Sequence, residues 1–553
     1  MKSLLLLAAT ICCACCSCVQ PKHYPDYSVS SGFALDSLDA RDPQVIENLG
    51  VTCRVWGYVK YHHPVFADST LNVDYELFGL LPQVAKATPA KRNKVLSEWV
   101  KGLGRFSTDK AEYDEALKTV KCTRTADLLW MDDTARLGNV LPRLLRELRY
   151  AKREANRYTD FTANAGNFVM RNESTAGSSD DCGYRMLFLF RFWNVIEYFS
   201  PNRNLTDTPW DEIPEKYIPL FIPGQTPGNP NQAMLLRELC DSHSASVRYN
   251  MFGYNTVPAE VRNADDRVFV IADGPLRKGD EILSIDGRGW KSTHDGLARF
   301  EAASNAENRN YMTAMCMVCS HRDTAAVELV RDGRRMTERI ATRSVMNWSP
   351  YITERMLDTA NIRLLADGIG YMTGVNYTKA DGARIMEKFR DTKALIVDLR
   401  CYPREFMIFD FIGRYFMPRT SPHVIWLAPT GALPGVFHEL QDSLFVNPDN
   451  PAVAENPDYY KGRVIVLVDS STQSQAEYTA MAFQATPRCT VVGTQTAGAD
   501  GNISALVMPG GDFGYFSGLG VLYPDGTNTQ RAGVRIDLSL IHISEPTRPL
   551  YIS

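Results

Sequence analysis

The stretch RVIVLVDSSTQSQAEYTAMAFQATPRCTVVGTQTAGADGN, Arg463 to Asn502, decides how the chain is read. Val464 to Val468 is an unbroken aliphatic run, of the length and composition of a strand buried on both faces. A polar turn follows, and from Gln475 the residues are those of a helix. Such a junction exposes turn side chains at the carboxyl edge of a sheet, where the free N–H groups of the helix start also point. A serine held there can attack a carbonyl while nearby amides hold the oxyanion. By spacing alone Ser474 and Glu477 also form S-x-x-E, the capping box that opens a helix. The two readings are compatible, since a nucleophile can begin a helix.

The same texture continues outward. IGYMTGV from Ile369, ALIVDLR from Ala394 and CTVVGT from Cys489 are short strand-like runs, with helical DGARIMEKFRD from Asp381 between them. Strands alternating with helices predict a layered α/β domain with a largely parallel sheet over 350–538. Before it, 256–345 changes character: VFVIADGPLRKGDEILSIDGRGW alternates β runs with Gly-containing turns. Leu276, Gly279, Asp280, Ile282, Ile285, Asp286 and Gly287 resemble the L-x-x-G-D-x-I-x-x-I-[DN]-G core of a PDZ domain. Such a domain takes peptide ends by strand addition; the other reading is a small β domain that only packs.

The N-terminal part contains a repeat. RVWGYVKYHHP from Arg54 and RFWNVIEYFSP from Arg191 align at one constant offset, which pairs Arg54 with Arg191, Trp56 with Trp193, Tyr61 with Tyr198, Pro64 with Pro201 and Asp74 with Asp211. Trp56 and Val59, like Trp193 and Ile196, have the spacing of one helical face. Two similar helical units are predicted, 40–165 and 178–255, with Trp and Tyr as core anchors. A polar stretch from Asn156 to Asp181 reads as the connection.

The opening MKSLLLLAATICCACCSC has a Lys, an apolar run and then small residues, so 1–20 reads as a secretory signal peptide. Export to the periplasm or cell envelope of a bacterium is the expectation. A lipid anchor would use one of its cysteines, Cys15 or Cys18. At 44% hydrophobic and 22% charged, with a formal charge of −4, the composition is that of a globular protein and gives no case for nucleic acid. Cys316 and Cys319 form a lone C-x-x-C. A zinc site would need further ligands at matching spacing, so the two read as packed thiols or, in an exported protein, as a disulfide. No metal or cofactor is called for.

The stretch first quoted resembles the core motif of the tail-specific, or C-terminal processing, serine peptidases and their tricorn relatives. There a strand leads to S-x-x-E, a helix follows, and then a V-[VI]-G-x-x-T-x-G turn. The resemblance implies Ser474 as nucleophile, a ClpP- and crotonase-like core, and a PDZ-like domain before it. One branch of the family carries a Lys base in the turn Thr496-Ala497-Gly498-Ala499, and here that position is Ala499. The tricorn-like branch carries a His preceded by Ser just before the PDZ domain, here Ser242-His243. It thus implies His243 as general base, suited by an imidazole pKa near neutrality, and Ser242 as the residue that orients it.

Two departures stand out. The Glu that the tricorn-like pattern places before Gly533-Val534 is Gln530, which could still hydrogen-bond Ser242. The D-L-R-x-N-x-G-G segment reads Asp398-Leu399-Arg400-Cys401-Tyr402-Pro403-Arg404-Glu405, and Pro403 has no N–H to donate. The oxyanion donors are then the amides of Gln475 and Arg404. A serine peptidase acting on peptides or exported proteins is the reading. Its alternatives are a catalytically weak or inactive peptide-binding protein on the same scaffold, and an esterase or amidase using the same serine. The last stretch, SLIHISEPTRPLYIS from Ser539, has neither helical nor strand periodicity and is expected to be a non-native tail.

Overall fold

The computed structural model describes residues 22–67, 71–120, 122–153, 155–224, 230–244, 251–264, 266–345, 362–374, 379–403 and 408–539. The signal peptide with its cysteines, Arg404, and the tail beyond Ser539 lie outside the described residues. No helix among those described is long and apolar enough to cross a membrane.

The N-terminal region is helical. Helix α1 (Pro43–His62) opens with Asp42 accepting from the Gln44 N–H and with Pro43 in its first turn, the start that proline suits. Helices α2 (Val73–Val84), α3 (Cys182–Phe199) and α4 (Ile213–Phe221) pack with it. The side chains expected as anchors are buried: Trp56, Trp193, Tyr61 and Tyr198 are at most 2% exposed. The two indoles are satisfied in matching ways, while the Tyr61 and Tyr198 hydroxyls have no hydrogen-bond partner among the described residues. The Trp56 indole donates to Val73 O at 2.8 Å and the Trp193 indole to Trp210 O at 2.7 Å. Arg191 pairs with Asp74 at 2.8 Å, while Arg54 pairs with Glu215 at 2.8 Å and also donates to Asp211 O. Each copy's arginine thus reaches the start of the other copy's second helix. Where α1 crosses α3, a Cβ on Gly57 would lie 1.8 Å from Asn194 Cγ. Asn194 spans the crossing, donating to Cys53 O at 3.0 Å and Phe190 O at 2.8 Å.

The second unit is a small β domain with its own core. Strands β1 (Val261–Ala264), β2 (Arg267–Val270), β3 (Glu281–Ile285), β4 (Thr324–Arg331) and β5 (Arg334–Ala341) form an antiparallel sheet in the order β5-β4-β3-β2-β1. Helix α5 (Ala306–Met317) packs on it. Cys316 and Cys319 are both buried, and no disulfide joins them.

The third unit holds the stretch that opened the reading. Strands β6 (Arg363–Leu364), β7 (Ile369–Thr373), β8 (Ala394–Asp398), β9 (Arg463–Val468), β10 (Cys489–Gly493) and β11 (Leu538–Ser539) lie in that order in one sheet. Every pairing except β6–β7 is parallel, as expected. Helix α6 (Gln475–Gln484) follows β9 and is buried along most of its length.

The units are not separate along the sequence. The hairpin Ile503–Ser517 leaves the α/β unit, and Leu506, Met508 and Phe516 join the core of the helical region. Conversely, Cys122–Arg124 pairs with Phe437–Leu444 at the edge of a second sheet. Long aromatic-rich helices offer more apolar surface than they cover among themselves, and the hairpin's apolar face covers it.

Candidate functional site

Ser474 lies at the end of the turn after β9, at φ 55° and ψ −123°. An L-residue pays steric strain in that region, on the order of 1–3 kcal/mol, which persists only where neighbours hold the backbone. They do so here. The Ser474 N–H donates to Ala499 O at 2.9 Å and to Glu477 Oε2 at 3.2 Å. Glu477 is fully buried and also accepts from Thr496 Oγ1 at 2.5 Å, Gly498 N–H at 2.8 Å and Ala499 N–H at 3.1 Å. The expected cap is therefore half of a larger clamp, in which Glu477 ties the helix start to the 496–499 turn. Gly498 sits at φ 65°, where a Cβ would meet Arg531 O at 2.7 Å, so glycine is required. Ala499 contributes its backbone N–H and C=O to this clamp.

Beside this clamp is a second carboxyl. Asp500 is 2% exposed, its Oδ1 accepts from Gly501 N–H at 2.7 Å, and its Oδ2 has no partner among the described residues. Burial and the Glu477 charge hold its pKa well above the carboxylate range. Burial also lifts Glu477, to about 7, against the pull of its donors. Two such acids this close do not both ionise. The one with donors on both oxygens, Glu477, takes the charge, and Asp500 keeps the proton.

His243 approaches from the end of the helical region. Its Nδ1 lies 2.8 Å from Ser517 Oγ, and Ser517 Oγ donates to Asp241 Oδ1 at 3.0 Å. Asp241 Oδ2 accepts the Ser517 N–H at 2.6 Å, and Oδ1 accepts the His243 N–H at 3.0 Å. Because Asp241 can only accept, Ser517 donates to it and accepts from Nδ1–H. That fixes the tautomer and leaves Nε2 with its lone pair. Burial lowers the His243 pKa below 6.5, partly opposed by Asp241, so the ring is neutral at neutral pH.

Ser242 does not orient the ring in this arrangement. Its hydroxyl donates to Ala497 O at 3.1 Å and accepts from Ser304 N–H at 2.9 Å, because the chain turns it toward the small β domain. Gln530 is not its partner either: the Gln530 Nε2 is buried without a partner among the described residues, and its N–H donates to Asn528 Oδ1 at 3.0 Å. Ser242 still brings the two halves together, since the Gln473 amide donates to Ser242 O at 3.2 Å. The Ser474 and His243 segments are thus joined through their neighbours, and among the described residues no hydrogen bond joins the two side chains directly.

The small β domain and Arg531 close the surround. Asn305 Nδ2 donates to Thr496 O at 2.9 Å and to Arg531 O at 3.0 Å, and Arg262 reaches Asp469 at 3.2 Å and Ser471 at 3.3 Å. Tyr402 lies at the end of the segment after β8, and burial raises its phenol's pKa above the ordinary value, partly opposed by the Ser474 side chain. Sequence reasoning gave no role to Ser517, Asp241, Tyr402 or Asp500. Asp241 stood two residues before the histidine, the one local signal available.

Residues 438–540 match the model of Peptidase family S41, so this segment is a serine-type peptidase domain. No curated protein matches the chain. Among solved structures, mature CPAF complexed with lactacystin aligns at 12% identity over 65% of this chain and 94% of that one, with a TM-score of 0.47. The photosystem II D1 C-terminal processing protease aligns at 16% identity over 65% and 93%, with a TM-score of 0.35. A peptidase from Parabacteroides merdae aligns at 14% identity over 65% and 90%, with a TM-score of 0.40. None of these alignments assigns a role to a residue of this chain.

Proposed function

Proceeding from the peptidase domain at 438–540, we propose that this chain is an exported serine peptidase of the tail-specific type, tricorn-like in its base. Ser474 is the nucleophile, His243 the general base, and Ser517 with Asp241 the pair that orients and charges the imidazole. The observation that carries this reading is the hydrogen-bonded line His243–Ser517–Asp241, bridged by Gln473 to the strained turn of Ser474. Ser474 Oγ attacks the peptide carbonyl carbon as its proton passes to His243 Nε2. The imidazolium, steadied by Ser517 and Asp241, returns that proton to the leaving amine as the C–N bond breaks. Water then attacks the acyl-enzyme, gives its proton to His243, and frees Ser474. The apo spacing tightens when substrate excludes water. In the same reading the small β domain is PDZ-like and takes a peptide end, and the N-terminus directs export, with lipid attachment at Cys15 or Cys18.

The test is Ser474→Ala in the full-length chain, assayed on a casein-derived peptide and with a fluorophosphonate probe. Loss of both cleavage and labelling is expected, and cleavage at the wild-type rate would sink the reading. The binding-protein alternative draws on the buried Pro403, which lacks an amide hydrogen. It predicts that wild type fails to label while still binding peptide.

A further inference from the structure

We infer that Asn167 is a positioning residue for the base, setting through Ser517 where the His243 ring stands. The inference rests on the reading of Ser517 as the partner of His243. Asn167 lies in the polar stretch that the sequence presents as a connection between the two helical units. In the fold that stretch holds a short antiparallel hairpin, Thr159–Phe161 with Phe168–Met170. The Ile503–Ser517 hairpin docks beside it, with the Val507 N–H 3.2 Å from Met170 Sδ. Asn167 is buried. Its Nδ2 donates to Ile503 O at 2.9 Å and to Ser504 Oγ at 3.2 Å, and its Oδ1 accepts from Thr162 Oγ1 at 2.6 Å. Because a carbonyl oxygen can only accept, Ile503 O fixes which way the amide is turned.

Ile503 is the residue paired with Ser517 across the hairpin. The Gly518 N–H donates to Asn502 O at 2.8 Å. A bond there makes Ile503 and Ser517 a pair that exchanges no backbone hydrogen bond and turns its N–H and C=O groups outward. On one side the Ser517 N–H goes to Asp241 Oδ2 at 2.6 Å, and on the other Ile503 O takes the Asn167 amide. Asp241 and Asn167 thus grip one residue pair from opposite edges. The chain leaves Ser517 flush against this contact, since a Cβ on Gly518 would lie 2.1 Å from Ser504 Oγ and 3.3 Å from Asn167 Cβ. The far half of the hairpin is held separately. Arg191 donates to Val507 O at 3.1 Å, the Gly510 N–H to Thr175 O at 2.8 Å, and Leu506, Met508 and Phe516 lie in the helical core. Loss of the Asn167 amide therefore leaves the hairpin docked and loosens its base, where Ser517 Oγ stands 2.8 Å from His243 Nδ1.

The experiment is a double-mutant cycle on the full chain with the casein-derived peptide. Misplacing a group that serves the chemistry by about 1 Å costs up to about a hundred-fold in rate. Asn167→Ala, which loosens the base by less, should lower kcat about ten-fold. KM should stay unchanged, because Asn167 stands behind the base and not against substrate. With Ser517→Ala already present, adding Asn167→Ala should cost less than about two-fold, since nothing then transmits the change. The same loss in both backgrounds, the mark of a general packing defect, would overturn the inference. So would no loss in the wild-type background, or a change confined to KM. If Asn167→Ala does not fold, Thr162→Val takes its place in the cycle and the same outcomes decide. That variant unties the Asn167 amide while keeping the bond from the Thr162 N–H to Asn167 O at 3.0 Å. Ser517→Ala alone is the control. Wild-type activity in it would sink the Ser517 bridge and this inference with it. A loss in Ser517→Ala to which Asn167→Ala adds in full removes only the role of Asn167.

Discussion

Ser517 and Asp241 make the residue-scale argument sharpest. A base that receives a proton at Nε2 needs a stabiliser at Nδ1, and the Ser517 hydroxyl passes on the charge of Asp241. Ser517→Ala should cost roughly 1.5–3 kcal/mol of transition-state stabilisation, or about ten- to a hundred-fold in kcat/KM. A purely structural role would leave the pH profile in place. The proposed role moves it: kcat/KM of wild type rises with pH as His243 deprotonates, with its midpoint below 6.5, and without the bridge the midpoint falls further. Asp500 gives a prediction of opposite kind. Its folded-state pKa is raised above 3.8, so the folded protein holds a proton that the unfolded chain releases, and stability declines as pH rises above that value. Asp500→Asn removes this penalty. The melting temperature of the variant, relative to wild type, should climb as pH rises above about 4; a constant difference would contradict a protonated Asp500.

At the scale of elements, the crossing of α1 and α3 is the tightest point of the helical region. Glycine in a helix interior normally costs about 1 kcal/mol against alanine, so Gly57→Ala would stabilise an isolated helix. In this fold the new methyl group meets Asn194, which is itself buried and bonded to both helices. Overpacking of this kind costs about 1–3 kcal/mol. Gly57→Ala should therefore lower the denaturant midpoint, and adding Asn194→Ala should recover part of the loss. Additive losses in the double variant would show that the contact is not what limits residue 57.

At the scale of the molecule, Arg531 ties all three units to the 496–499 turn. Its guanidinium donates to Leu205 O at 2.7 Å, Asp207 at 2.7 Å and Ser304 O at 3.1 Å, and its N–H donates to Gly498 O at 2.7 Å. One planar head satisfies the helical region and the small β domain together, which a lysine cannot do. Because the side chain is a third exposed, the stability loss in Arg531→Ala should be modest, about 1–2 kcal/mol. The kcat/KM loss should exceed what that destabilisation explains, because the turn that positions Ser474 loses its anchor. Arg531→Lys should recover little. Calorimetry and steady-state kinetics on the same preparations separate the two effects.

The sequence by itself determined the parts whose cause is local. The β-branched runs around ALIVDLR and RVIVLVD, with helices between them, dictate a parallel sheet because only buried strands read that way. The repeated Trp and Tyr predict buried anchors, with Trp56 and Val59, like Trp193 and Ile196, at the spacing of one helical face. Ser474 was legible because a strand, a polar turn and a helix start lie consecutively in the chain. What only the tertiary structure decided is what stands around that serine. Ser517 reaches His243 because a hairpin of the α/β unit fills the apolar surface of the helices, a docking with no local pattern. Ser242 and Gln530, placed beside the histidine by resemblance, are drawn off by the small β domain and the neighbouring turn. Glu477 reads as a cap in sequence and in space also clamps the 496–499 turn, since the hydrogen bonds of a buried carboxylate are set by whichever backbone the fold brings within reach.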